Sequence, residues 1–189
     1  MTDNAKTALA ALRDNDHPLG RPVALCLMFE PANDQLLAAS IFDLALALDS
    51  ALHIPSESLL AAIRVQWWVD SLSDNNAQTA PLVTQLHAQF QTHEGLKSHT
   101  MDLIGHWQIA CHDENRDNSD GWAAVWALVA KHMGQATQSA IATDIGHQLH
   151  HAARGHKLHT AVPPNRRQIS ALRRNDAGKK RSFLYLAAC

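Results

Sequence analysis

Histidine is the residue type of this chain best placed to do chemistry. Thirteen occur among 189 residues, and five of them, His147, His150, His151, His156 and His159, fall close together. His147 and His151 stand at i and i+4, so on a helix both imidazoles share one face and can chelate a transition metal such as Zn²⁺. No cysteine accompanies them and Asp144 is the only nearby acid, so a chance cluster in a His-rich chain is the competing reading. A second concentration of chemistry lies at Arg64-Val65-Gln66-Trp67-Trp68. Adjacent tryptophans cannot both face a core squarely. The expectation is Trp67 packed inside and Trp68 at a helix boundary, or one of them serving as an aromatic contact for a partner. Arg64 and Gln66 then satisfy buried partners, face solvent or line the mouth of a cavity. Arg154, with Arg166 and Arg167, offers either an anion or lipid-headgroup site or a solvated basic face.

The elements that must position these groups read as helices. Hydrophobic residues make up 46% and charged residues only 18%, with eight glycines and seven prolines. Such an Ala- and Leu-rich composition favours helix. The periodicity predicts a short helix over Asp3 to Arg13 and a second from Pro22 to Phe29, stopped by Pro31. The next runs from Asn33 to Leu52, rich in alanine, so that its neighbours approach closely at the centre of a bundle. Another follows from Ser56 to Leu72, with Leu59, Leu60, Ile63, Trp67 and Leu72 as its inward stripe. Helices to His93 and from Leu96 to Cys111 come next. A long helical region opens at Ser119-Asp120, is divided near Gly134 and ends at about Ala153. Two short helices are expected after Pro163-Pro164. No strand pattern is present, and the chain reads as one domain, 1–189.

A formal net charge of −2 supplies no field to attract nucleic acid. Cys26, Cys111 and Cys189 follow no metal-ligand spacing, which fits a reducing cytosol. The first residues lack the pattern of a secretory signal. No apolar stretch is expected to reach the roughly 18 residues of a spanning helix. A cytoplasmic protein with at most peripheral membrane contact is the expectation.

Ala62-Ile63-Arg64-Val65-Gln66-Trp67-Trp68-Val69-Asp70 resembles a signature of the squalene/phytoene synthase family. Phe29-Glu30-Pro31-Ala32 is similar to that family's Phe-x-Pro-Ala turn, and His151-Ala152-Ala153-Arg154-Gly155 to its Asp/His-Ala-x-Arg-Gly segment. Together they cover about residues 21–155. The resemblance implies an all-α, isoprenoid-synthase-like helical bundle, here shortened, around a cavity for prenyl chains. It also implies two aspartate-rich motifs holding Mg²⁺, which neutralises a departing diphosphate. At the first motif only Asp43 and Asp49 are acidic, six residues apart and so pointing in different directions. At the second, His147 and His151 stand where aspartates belong, with Asp144 one turn earlier, and imidazole does not suit Mg²⁺.

The resemblance is closest to a catalytically degenerate branch that includes an assembly factor for the respiratory NADH dehydrogenase. A pseudoenzyme binding an isoprenoid, another lipid or a protein partner, with no cofactor, is therefore the expected function. A prenyl transferase using Mg²⁺ and a histidine-based metal-binding protein are the alternatives. If a cavity survives, it is expected between the third helix, with Ala38, Ala45, Ala47 and Ala51, and the helix carrying Trp122, Trp126 and Met133.

Overall fold

Helix boundaries follow local chemistry. A computed structural model describes residues 3–74 and 80–153, and the two short helices expected after Pro164, with Arg154, lie outside them. Among the described residues eight α-helices run in order: α1 (Asp3–Arg13), α2 (Gly20–Leu27), α3 (Ala32–His53), α4 (Ser58–Ser73), α5 (Pro81–Thr92), α6 (Leu96–Ala110), α7 (Ser119–His132) and α8 (Ser139–Ala153). A 3₁₀ turn over Ala136–Gln138 links the last two. No strand occurs among the described residues, so the all-α class is as expected.

Pro31 enters α3 in an extended conformation, and the Gln35 amide donates to the carbonyls of Met28 (3.3 Å) and Glu30 (2.7 Å), closing the turn before it. At the other end of α3, the Arg116 guanidinium donates to the carbonyls of Leu52 (2.9 Å) and Ser56 (3.0 Å). These include one of the carbonyls that a helix C-terminus leaves without an intrahelical donor. Gly134 stops α7 at a φ of +75°. There Gln135 N–H returns to the Ala130 carbonyl (2.8 Å) and Gly134 N–H to that of Lys131 (3.3 Å), the paired bonds of a Schellman motif.

α3 is the central element and packs against α1, α2, α4, α5, α6 and α7. Contrary to expectation, it has the length and apolarity of a membrane span, with a mean hydropathy of 1.5 over its best window, yet 72% of that window is buried inside the protein. That is the behaviour of a core helix. The space between α3, α6 and α7 is filled by aromatic packing: Phe42 meets Trp126 edge-on at 5.0 Å, and Trp107 meets Trp122 at 6.2 Å. Ala38 and Ala45 are buried in this core. The alanines at 47 and 51 line a groove towards α4 instead.

α4 is phased differently from the reading based on its largest residues. It buries Ala61, Val65, Ser71 and Leu72, while Leu59, Leu60, Ile63 and Trp67 are 70%, 47%, 57% and 42% exposed. Trp68, not Trp67, packs against the core. Small side chains at 61 and 65 let the α4 backbone approach its neighbours, and bulkier ones would hold it off.

The backbones of α7 and α8 approach closely at Gly146. A Cβ there would lie 2.6 Å from Ala123 Cα and 2.7 Å from the Trp122 carbonyl oxygen, so any side chain forces the helices apart. Gly146→Ala is expected to cost about 1–3 kcal/mol in chemical denaturation. Gly105→Ala, with nothing within 4 Å of the added methyl group, is expected to be neutral or to stabilise by up to about 1 kcal/mol.

Candidate functional site

Asp43 and Asp49 leave α3 in different directions and enter different environments. Asp49 is buried. Its Oδ1 accepts from Asn118 Nδ2 and from Trp122 Nε1 (3.2 Å), and its Oδ2 from His17 Nε2 (3.1 Å). Leu19 N–H donates to His17 Nδ1 (3.1 Å), so the ring proton of neutral His17 sits on Nε2 and points at the carboxylate. His53, one turn along α3, brings its Nε2 to 3.7 Å from Oδ1. Burial pushes the Asp49 carboxyl up, but the bonds from His17 and Asn118 and the proximity of His53 outweigh it and bring the group down to about 2. His17 stacks on Trp122 at 5.5 Å, and His150 stacks near the same indole at 6.5 Å. The carboxylate therefore joins the loop after α1, helix α3, the loop before α7 and α7 itself.

This donor set does not fit Mg²⁺. Both oxygens of Asp49 already accept hydrogen bonds inside the core, and Asp43 stands alone as an acid on its own face. Asp43 is half-buried, with no hydrogen bond or ion pair among the described residues, and burial pushes its carboxyl up. Asp144 is exposed on α8. His147 Nε2 lies 3.7 Å from Asp120, His150 Nε2 lies 3.7 Å from Asp117, and the His151 ring lies 5.8 Å from that of His150. Among the described residues no group of three or more His, Cys, Asp or Glu side chains is arranged to hold a metal ion.

Arg64, Trp67 and Trp68 do come together. With Ala47, Ser50 and Ala51 of α3 and Ile54 just past its end, they line an open groove of about 260 Å³. The two indoles meet edge-on at 4.8 Å. Arg64 forms no ion pair or hydrogen bond among the described residues, whereas Gln66 is turned aside, donating to Asp70 (2.8 Å) and accepting from Gln108 (3.1 Å) on α6. Asp43 stands one helical turn before Ala47, on the same side of α3.

A histidine cluster that sequence spacing conceals lies where α5 ends, α6 begins and α7 ends. The Lys131 ammonium donates to His99 Nε2 (2.8 Å), so His99 carries its proton on Nδ1 and donates it to His132 Nε2 (3.2 Å). The His93 ring lies 6.4 Å from that of His132. Burial first, then His99, His93 and Lys131, hold the His132 imidazole below its ordinary value. The sequence separation of 39 residues between His93 and His132 leaves no local pattern from which to find this cluster.

No family model, curated protein or solved structure matches this chain.

The Asp49 carboxyl lies lower in the folded chain than its ordinary 3.8, so the stability it contributes is complete above about pH 4 and is lost as pH falls towards 2. That contribution is about 2 kcal/mol. Asp49→Asn is expected to cost about 2–3 kcal/mol at pH 7 and to flatten the stability profile between pH 4 and 2, as followed by urea denaturation. His132 is also depressed, so its contribution is complete above about pH 6.5 and falls as pH drops through that value. His132→Gln is expected to reduce the loss of Tm between pH 7 and pH 5.

Proposed function

We propose that this chain is a non-catalytic binding protein of the squalene/phytoene synthase-like type, whose α3–α4 groove takes the apolar chain of a lipid. The observation that carries this reading is the orientation of α4. Leaving Leu59 and Ile63 largely, and Trp67 partly, in water forgoes part of the roughly 1.5–3 kcal/mol that full burial of each side chain supplies. An exposed apolar ridge of this kind marks a site of interaction. It borders a groove whose walls are the Trp67–Trp68 pair and Ile54, with the unpaired Arg64 among them.

The engagement of both Asp49 oxygens by hydrogen bonds, together with the isolation of Asp43, supports the absence of prenyl-transfer chemistry. Ionising a diphosphate calls for metal ions that neutralise its charge; Asp49 is engaged within the core, and Asp43 has no second carboxylate on its face with which to hold them. A helix of a protein partner is the second reading, favoured by the four-residue spacing of Leu59, Ile63 and Trp67, which matches the anchors of helix-in-groove recognition.

Two measurements test the proposal. With farnesyl diphosphate and Mg²⁺ or Mn²⁺, pyrophosphate release is expected to equal that of a heat-inactivated control, and release well above it contradicts the non-catalytic reading. Native mass spectra of the freshly purified chain are expected to carry an apolar adduct that Ala47→Phe, which fills the groove, removes. A spectrum free of adduct in both forms contradicts lipid binding.

A further inference from the structure

From the chemistry of the groove lining we infer that its ligand is a single-charge carboxylate on an apolar chain of about ten carbons, seated with its head on Arg64. This inference rests on the lipid-binding reading above and adds the head group and the length.

The head group follows from what is and is not present. Arg64 is the one cation lining the groove and is free of any partner among the described residues. Its planar fork matches the two oxygens of a carboxylate and pairs with them in bidentate fashion. No second cation assists: the Ser50 hydroxyl is engaged with the Leu46 carbonyl at 2.9 Å, and the remaining lining is indole and aliphatic. One guanidinium balances one negative charge. A diphosphate would bring surplus charge to a groove with no other cation, on the side of α3 where Asp43 stands one turn away. Asp43 is itself half-buried and unpaired among the described residues, so a polyanion meets repulsion as well as a deficit of positive charge.

The length follows from volume. A space of about 260 Å³ corresponds to roughly nine water volumes at ~30 Å³ each, and it lies just below the usual range for pockets that enclose drug-sized ligands. A methylene group takes up a similar space, so about ten carbons fill the groove. A longer chain leaves its tail on the ridge of Leu59 and Ile63, in water.

The test is calorimetric titration of the full chain with three ten-carbon probes below their aggregation limits: decanoate, decanol and geranyl diphosphate. Decanoate is expected to bind at least tenfold tighter than either of the others. Arg64→Gln, a substitution of an exposed side chain, is expected to bring decanoate down to the level of decanol. Ala47→Phe is expected to abolish binding of all three. Decanol binding as tightly as decanoate, decanoate binding unaffected by Arg64→Gln, or geranyl diphosphate binding tightest overturns the head-group inference and leaves the groove as a lipid site. No binding of any probe by a chain that circular dichroism shows to be folded overturns both.

Discussion

Taking a carboxylate out of water costs several kcal/mol unless donors replace the water it loses. Asp49 meets that demand with groups from four places in the chain. His17 comes from the loop after α1, His53 from α3 itself, Asn118 from the segment before α7, and Trp122 from α7. None of these segments is fixed by helix propensity alone. The α1–α2 loop could leave α3 at many angles, and α7 could rotate about its axis. The carboxylate selects one arrangement because only one brings all the donors to it. Trp122 carries the constraint further, since its indole lies against Trp107, His17 and His150, and its helix approaches α8 at the backbone of Gly146.

The two sides of α3 consequently have different tasks. The side bearing Asp49 is closed, with both carboxylate oxygens satisfied within the core. The side bearing Ala47 and Ala51 is open towards α4, where small residues and an outward ridge leave a groove instead of a packed seam. Arg116 reinforces the division by holding the carbonyls at the end of α3, just where Ile54 turns out into the groove wall. A binding function placed on the open side leaves the anchored side undisturbed.

Helix positions were legible in the sequence because their punctuation is local. Pro31, Pro81, Gly134 and Ser119 act within a turn of where they stand, and the expected α1, α3, α6 and α7 begin or end within about a residue of those found. The rotation of α4 was not legible. Its sequence contains two apolar stripes, one large (Leu59, Ile63, Trp67) and one smaller (Ala61, Val65, Leu72). Side-chain size favours the first, but backbone approach to α3 and α6 selects the second. The Arg64 and Trp67-Trp68 segment stands out in the sequence by its adjacent tryptophans and the motif around them, whereas its partners in the groove, Ser50 and Ile54, do not. The roles of His17, Asn118 and His132 arise from contacts 32 or more residues apart along the chain, and no spacing rule reaches that far.

The rest of the structure depends on Asp49 being a buried anion held by donors from separate segments of the chain. Nuclear magnetic resonance of the Asp49 carboxyl carbon as a function of pH tests it directly, with the ¹⁵N shifts of His17 reporting its tautomer at neutral pH. The expected result is a carboxyl that titrates with a midpoint at about 2 and a His17 proton on Nε2. A carboxyl titrating near 4, or a neutral His17 with its proton on Nδ1, would contradict it.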